Sequence, residues 1–237
     1  MTMTAIIRPT DDAAGKFMSA DGTRPSRRRA RFWDKIAEKY AKQPVADEAS
    51  YQEKLRVSQS YFTPETEALE IACGTGATAV AHAPHVKRYR ATDISENMLA
   101  IGRRRAAEAG ADNVTFEQAA IEDLVVAEES LDAVLAMSIL HLLKDERAAI
   151  SRIHGWLKPG GVFITSTACL ADYMGWFRPI ATLGRIAGAI PYVKFLTQTD
   201  LRRSLEAAGF EIDHEWRPAK NKAVFIVARK PAPLTKT

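Results

Sequence analysis

The chain has 237 residues, of which 46% are hydrophobic, and a formal net charge of +4. This length suits one large hydrophobic core and is too short for two full-sized domains, while the composition excludes wholesale disorder. All of the positive excess lies in residues 1–31, which hold seven basic and three acidic side chains, so the rest of the chain is neutral and no nucleic-acid partner is expected.

Residues 1–27 are expected to form a mobile basic tail, because they are rich in small and polar residues and show no periodicity. They lack the apolar stretch of a secretory signal, and no stretch of the chain approaches the ~20 apolar residues of a membrane span. Cys73 and Cys169 have no metal-ligand spacing, so no metal site is expected. These features predict a cytoplasmic protein.

Residues 28–237 are expected to form a single domain that opens with a helical cap over residues 28–62. Apolar residues recur at helical spacing from Phe32 to Ala41, and a second amphipathic helix is predicted from Asp47 to Tyr61. The second helix should end at Thr63, because the residue before Pro64 disfavours the helical conformation.

Strands and helices then alternate to the end of the chain. Strands are predicted at Ala68–Ala72, up to Asp93, and at Val114–Glu117, Leu131–Met137 and Val162–Thr167, before an antiparallel pair at Glu211–Trp216 and Ala223–Ala228. Helices are predicted at Thr78–Ala83, from the N-cap Ser95 to Ala109, at Asp145–Leu157, and from the N-cap Thr199 to Ala208. This alternation predicts an α/β fold, a doubly wound three-layer sandwich.

The turn after the first strand is the most informative segment. Glu70 lies inside the buried strand, where a carboxylate needs a partner, and Gly74 and Gly76 allow a ligand to approach the main chain. Asp93 ends the second strand, where a carboxylate can accept both hydroxyls of a ribose. Together these residues predict a nucleotide-type pocket at the carboxyl ends of the first two strands.

Two cofactors compete for this turn. The run Gly74-Thr75-Gly76-Ala77-Thr78-Ala79 also fits the dinucleotide pattern G-x-G-x-x-G/A, so the glycines alone keep NAD as a candidate cofactor. A dinucleotide turn has no need of an acid at Glu70, and the chain has no Tyr-x-x-x-Lys pair for hydride chemistry. An NAD-dependent oxidoreductase therefore stays the alternative.

Four motifs, in the right order, resemble those of the class I S-adenosylmethionine-dependent methyltransferases. They are Leu69–Ala77, Arg90–Ser95, Leu131–Met137 and Leu157–Gly161, within about residues 66–168. The resemblance implies a mainly parallel seven-stranded sheet with an antiparallel last strand. It also implies S-adenosylmethionine as the donor and S-adenosylhomocysteine as the product. The arrangement is most similar to bacterial methyltransferases that act on quinones and lipids.

The resemblance also implies which residues hold the donor. Glu70 would hold its methionine portion, and Ile94 and Met98 would flank the adenine. Ala120 departs from the family, which usually has Asp or Asn there for the adenine amine; either Ile121 and Glu122 take over, or donor affinity is lower. The full predicted set is Tyr40, Glu70, Ala72, Cys73, Gly74, Thr75, Gly76, Asp93, Ile94, Met98, Ala120, Ile121, Glu122 and Met137.

The methyl acceptor is expected beyond the fourth strand, where members of the family often place substrate-facing residues. His141 is a candidate general base, with local packing as the alternative. Residues 169–198 are long for a connection and are expected to form an apolar substrate lid, with peripheral membrane contact as a further option. The predicted acceptor-side set is Trp33, Ser138, His141, Tyr173, Trp176 and Phe177.

The sequence thus predicts methyl transfer to a small, apolar metabolite by in-line displacement. The sulfonium supplies the activation, so the protein mainly has to align the reactants and exclude water. Besides the oxidoreductase, a non-catalytic module that binds the donor in the same fold is an alternative, and Ala120 keeps it open.

Overall fold

Seven strands form one sheet with helices on both faces in the computed structural model, which describes residues 24–186 and 192–233. The strands are β1 (Glu67–Ile71), β2 (Arg88–Asp93), β3 (Val114–Gln118), β4 (Leu131–Met137), β5 (Leu157–Thr167), β6 (Glu211–Trp216) and β7 (Val224–Arg229). The α-helices are α1 (Arg24–Ala41), α2 (Glu48–Gln59), α3 (Ala77–His82), α4 (Glu96–Ala109), α5 (Glu146–Trp156), α6 (Ala171–Met174), α7 (Arg178–Ile186) and α8 (Gln198–Ala207). Short 3-10 turns lie at Ala83–His85, Ile121–Asp123, Leu140–Leu142 and Gly175–Phe177.

The strand order is β3-β2-β1-β4-β5-β7-β6. Strands β1 to β5 are parallel to one another, and β7 runs antiparallel between β5 and β6. The order reverses between β1 and β4, and open α/β sheets bind ligands outside the carboxyl ends of the strands at such a point. The mainly parallel seven-stranded sheet with an antiparallel last strand is therefore confirmed.

Each face of the sheet carries its own hydrophobic core, because successive side chains of a strand point to opposite faces. The core beneath α5 and α8 contains Leu69 and Phe163. The core beneath α2, α3 and α4 contains Leu135 and Ile164. By the same alternation Glu70 lies on the face that α2, α3 and α4 cover.

Helix α1 begins earlier than the sequence pattern indicated, at Arg24 instead of Phe32. Four residues of the predicted tail, 24–27, are thus helical, and residues 1–23 lie outside the described part of the chain. Apolar periodicity misses this first section because it is built from arginines, which are good helix formers, and from Pro25, which fits a first helical turn. None of the helices in the described ranges is long and apolar enough to cross a bilayer.

The caps of α4 follow the sequence, whereas the cap of α8 does not. The hydroxyl of Ser95 accepts the N–H of Met98, and Gly110 ends α4 with a φ of 66°. At α8 the N-cap is Thr197 and not Thr199. The reason is a capping box, in which the Thr197 hydroxyl and the Asp200 carboxylate each accept the other's backbone N–H, at 3.0 and 3.1 Å.

Candidate functional site

The glycine turn after β1 is built from residues with left-handed backbone conformations. Ala72, Gly74 and Gly76 have φ values of 54°, 55° and 72°. A Cβ atom at Gly74 would meet nothing within 4 Å, whereas one at Gly76 would lie 2.8 Å from the Phe116 ring. Gly76 is thus needed for packing, while Gly74 leaves the backbone open on the side where a ligand can approach.

Glu70 lies beneath this turn and is 1% exposed. Its carboxylate accepts a hydrogen bond of 3.0 Å from the hydroxyl of Tyr89, a neutral donor. Burial raises the pKa of Glu70 to about 8, which the Tyr89 hydrogen bond only partly offsets. A buried carboxyl group with this partner suits a cationic ligand group, because a positive charge would favour its ionised form.

Asp93 ties the glycine turn to the start of α4. Its carboxylate oxygens accept the backbone N–H of Gly74 at 2.9 Å and that of Ser95 at 2.9 Å. Burial raises the pKa of Asp93, and these backbone hydrogen bonds oppose the change. A carboxylate has about four lone-pair sites, so Asp93 keeps acceptor capacity for hydroxyl groups of a ligand.

Helix α1 lies across this part of the site. Asp34 accepts a 2.6 Å hydrogen bond from the Ser95 hydroxyl, and Trp33 packs over the buried Met98. Tyr40 contacts Trp33 edge to face and is half exposed. The predicted residues Trp33, Tyr40 and Met98 therefore form one cluster, beside Asp93.

The 3-10 turn after β3 carries the residues predicted to meet an adenine. Ala120 and Ile121 are buried, and the Ile121 side chain packs in the core beneath α5 and α8. Glu122 is more exposed and pairs with Arg29 of α1 at 3.3 Å. Ile94 accepts a hydrogen bond from Gln118 through its carbonyl. Because the Ile121 side chain is packed in this core, only its backbone is available to face a ligand.

Ser138 and His141 lie beyond the carboxyl end of β4. Ser138 has a φ of 63°, which is uncommon for a residue with a side chain, and its N–H donates to the carbonyl of Ser166 at 2.7 Å. Burial lowers the pKa of His141 to about 4, so the imidazole is neutral and weakly basic near pH 7. Its Nδ1 has no hydrogen-bond partner among the described residues.

The predicted lid forms two short helices, α6 and α7, with residues 187–191 outside the described part of the chain. The start of the lid is fixed by Asp172, which forms a 2.7 Å ion pair with Arg217. Tyr173 and Phe177 are partly buried, whereas Trp176 is 72% exposed. The Trp176 ring contacts the Phe177 ring edge to face, with 5.8 Å between the centroids, so these two predicted acceptor-side residues lie together at the surface.

Three polar residues near the turn were not among the site residues predicted from the sequence. Arg105 of α4 donates to the hydroxyl and carbonyl of Thr75, at 2.6 and 3.1 Å, and to the carbonyl of Ala41 at 3.1 Å. Tyr51 of α2 hydrogen-bonds the side chain of Thr78, and burial raises its pKa. Lys54, also of α2, reaches the end of β5. The available signal was polar residues on the inward side of two amphipathic helices.

The comparison with known families agrees with this geometry. Residues 68–161 match the family model described as a methyltransferase domain, a range that begins in β1, includes the whole glycine turn and ends within β5. Residues 68–161 are therefore similar to the methyltransferase domain of class I S-adenosylmethionine-dependent enzymes. This similarity does not favour the oxidoreductase alternative.

Curated relatives of this chain include proteins named for quinone biosynthesis. A demethylmenaquinone methyltransferase of Symbiobacterium thermophilum is 34% identical over 140 residues, 56% of each chain. A ubiquinone/menaquinone biosynthesis C-methyltransferase of Brucella anthropi is 30% identical over 169 residues, 62% of this chain and 64% of the relative. The chain thus spans little more than half the length of these relatives.

Solved structures share the fold of this chain at low sequence identity. A geranyl diphosphate C-methyltransferase of Streptomyces coelicolor A3(2), in complex with S-adenosylhomocysteine, has a TM-score of 0.69 at 14% identity, over 90% of this chain and all of the other. The [4+2]-cyclase SpnF has a TM-score of 0.73 at 18% identity, over 87% and 96% of the chains. Because one of these is a cyclase, the shared fold alone does not define the reaction.

Proposed function

We propose that this protein transfers the methyl group of S-adenosylmethionine to a small acceptor. The observation that carries the proposal is the presence of two separate buried carboxyl groups, Glu70 and Asp93, near the open backbone at Gly74. The two carboxylates differ in their tasks, because Glu70 is buried beneath the turn while Asp93 ends the next strand at its mouth. This spacing suits a ligand that carries an ammonium group at one end and a ribose at the other.

The chain's own groups fit this cofactor. Glu70 would hold the amino group of the methionine portion, the turn backbone at Gly74 would lie against it, and Asp93 would accept the ribose hydroxyls. When bound, S-adenosylmethionine supplies a methyl group on a positively charged sulfur, which is already activated for transfer. The protein then has to bind, orient and keep water away from the reacting groups.

A strong general base is not part of this proposal. With a pKa of about 4, His141 is a weak proton acceptor near neutral pH. Its carbonyl instead accepts the N–H of Lys194, which holds the last part of the lid segment against the end of β4. We therefore assign His141 a positioning role, and replacement by alanine should leave S-adenosylhomocysteine binding unchanged.

The acceptor is proposed to be a small, largely apolar molecule of the quinol type. This choice rests on the names of the curated relatives and on the apolar lid, in which Trp176 and Leu183 are exposed beside the partly buried Phe177. A bilayer surface that presents such a molecule would be a compatible partner for these exposed side chains.

Calorimetric titration with S-adenosylhomocysteine, and with NAD for comparison, tests the proposal. We expect binding of the first ligand only, and a loss of about tenfold or more in affinity for Glu70→Ala and Asp93→Ala, since each removes charge-assisted hydrogen bonds of ~1.5–3 kcal/mol. Glu65→Gln, which changes an exposed carboxylate at 2.8 Å from Lys87, is the matched control.

Unchanged affinity in both alanine variants would reject the site, and binding of NAD alone would reject the cofactor. Turnover is measured separately, as S-adenosylhomocysteine release in the presence of reduced naphthoquinones with and without a prenyl chain. Binding without turnover on any of these acceptors would favour the non-catalytic module over the enzyme.

A further inference from the structure

A half-buried lysine lies at the carboxyl end of β5, outside the predicted cofactor set. The Nζ of Lys54 donates a 2.9 Å hydrogen bond to the hydroxyl of Ser166, which is 2% exposed. Among the described residues, no carboxylate lies at ion-pair distance from this ammonium group. Burial lowers the pKa of Lys54, which is the effect of removing a positive charge from water.

The carboxylate of Asp47, which raises the pKa of Lys54, already has another cationic partner. Asp47 at the start of α2 raises the pKa of Lys54, but it forms a 2.8 Å ion pair with Lys222 and caps α2 through the N–H of Ser50. Lys222 in turn opposes the charge of Lys54. The ammonium group therefore has unused capacity for an anionic partner, because it can donate three hydrogen bonds and Ser166 takes one.

The sheet places this ammonium group on the acceptor side of the site. Glu70 pairs with Leu135 of β4, and Ser166 pairs with Met137 of β4, so Glu70 and Ser166 point to the same face two strands apart. Neighbouring strands lie ~4.8 Å apart and the residues differ by one two-residue step along the strand, which separates their Cα atoms by about 12 Å. Lys54 thus lies beyond Glu70 in the direction away from Asp93.

Helix α2 divides its inward face between the two regions. Tyr51 reaches the side chain of Thr78 at the start of α3, close to Glu70, and Lys54 reaches β5 one turn later. Ser138, which follows β4, is fixed to β5 because its N–H donates a hydrogen bond to the Ser166 carbonyl. One helix therefore contributes to the donor pocket and to the acceptor pocket.

We propose that Lys54 binds an anionic oxygen of the methyl acceptor, so that the acceptor is an acidic hydroxyl compound bound as its phenolate or enolate. This inference rests on the proposed function. Ser166 holds the ammonium group in place and leaves its remaining donors free. Lys54 is then a specificity-determining residue, which favours an ionised acceptor over an uncharged compound of the same shape.

Two naphthoquinones that differ in charge test this site. The protein is saturated with S-adenosylhomocysteine and titrated with 2-hydroxy-1,4-naphthoquinone, which is ionised at neutral pH, and with its uncharged 2-methoxy analogue. We expect the anion to bind wild type more tightly, and its affinity to fall by about tenfold or more in Lys54→Met. Binding of the methoxy compound should not change.

Matched variants separate charge from packing. Lys54→Arg keeps the charge and should keep the preference for the anion. Ser166→Ala removes the hydrogen bond but not the cation, so it should also keep that preference, whereas a purely structural tether would be lost equally in Lys54→Met and Ser166→Ala. Arg56→Met, on the exposed side of α2 in an ion pair with Glu53, is the control and should behave as wild type.

Equal affinity of wild type and Lys54→Met for the anion would overturn the proposal, as would failure of wild type to bind the anion. If Lys54→Met does not fold, the salt dependence of wild-type binding decides: rising potassium chloride should weaken the anion and spare the methoxy compound. Unchanged S-adenosylhomocysteine affinity in Lys54→Met shows that the donor site is intact. Failure of wild type to bind S-adenosylhomocysteine would instead reject the proposed function itself.

Discussion

Glu70 and Asp93 show how one fold gives two carboxylates different properties. Both are buried, but Asp93 accepts two backbone N–H groups, whereas Glu70 is held by the hydroxyl of Tyr89. Burial raises the pKa of both groups, to about 8 for Glu70. At Asp93 the backbone N–H groups stabilise the ionised form and oppose this rise. The protonation of Glu70 therefore responds to what binds next to it.

This difference predicts proton release when the ligand binds. At pH 7 a carboxyl group with a pKa of about 8 is mostly protonated, and an ammonium group placed against it lowers that pKa, so the proton leaves. Calorimetry of S-adenosylhomocysteine binding in two buffers of different ionisation enthalpy should give about one proton released per site at about pH 7 and almost none at about pH 9. Affinity should accordingly rise with pH up to about 8.

Glu70→Gln is the control for this measurement, because an amide of the same shape cannot ionise. Its proton release should be close to zero at both pH values. A wild-type protein that releases no proton at pH 7 would show that Glu70 does not meet the cationic group of the ligand.

The two glycines of the turn should differ in what they lose on substitution. Gly76→Ala brings a Cβ within 2.8 Å of Phe116 at a φ of 72°, so the free energy of unfolding should fall by about 2–5 kcal/mol. Gly74→Ala meets no atom within 4 Å and should cost only about 1–2 kcal/mol, from backbone strain. Urea denaturation of both variants measures the difference.

Ligand binding should show the opposite order. The added methyl group of Gly74→Ala occupies the open side of the turn, so this variant should lose S-adenosylhomocysteine affinity while remaining folded. Equal destabilisation of the two variants, with Gly74→Ala binding as wild type, would contradict the assignment of the open side to the ligand.

At the scale of secondary-structure elements, α1 and the glycine turn are joined through α4. Arg105 connects the two elements, because its guanidinium donates hydrogen bonds both to Thr75 in the turn and to the Ala41 carbonyl at the end of α1. These contacts span 30 and 64 residues of sequence. They connect a helix outside the matched family region to the glycine turn.

Replacement of Arg105 by methionine should loosen both elements. We expect faster amide hydrogen exchange across α1 and a several-fold loss of S-adenosylhomocysteine affinity, because two of the lost hydrogen bonds order the turn. Arg104→Met, an exposed neighbour on the same helix, should leave both quantities unchanged. Identical exchange in Arg105→Met and Arg104→Met would show that Arg105 does not hold α1, and that the packing on Met98 and the Asp34–Ser95 hydrogen bond are sufficient.

Helix α2 shows what a sequence pattern omits. Its amphipathic character and its N-terminal limit at Asp47 were readable, but Lys54 looks like an ordinary exposed lysine until β5 is placed beside it. The Lys54–Ser166 hydrogen bond joins residues 112 positions apart, and no local periodicity reports such a contact. The cap of α8 differs, because Thr197 and Asp200 are three residues apart and their spacing is a local capping-box signal that the prediction of Thr199 overlooked.

Across the whole molecule, the sheet was predictable and the outer helices only in part. Strand limits such as Leu131–Met137 and Glu211–Trp216 were predicted to the residue. A buried apolar run defines the first strand, and the turn at Gly209 and Pro218 limit the second. The lid segment was predicted from its length, but the exposure of Trp176 depends on how α6 and α7 pack, which the sequence does not define. The residues predicted to bind the cofactor remain a prediction that the experiments above test.

The position of β7 has a consequence for how the protein is made. This strand is the last of the seven in the chain, but it lies between β5 and β6, where it pairs with both. Until the ribosome has released residues 224–229, β5 has a bare hydrogen-bonding edge and β6 has no neighbour. A nascent chain that stops at this point would expose unpaired N–H and C=O groups along β5. Such strand edges can pair with other chains and promote aggregation, and chaperones bind incompletely folded chains of this kind.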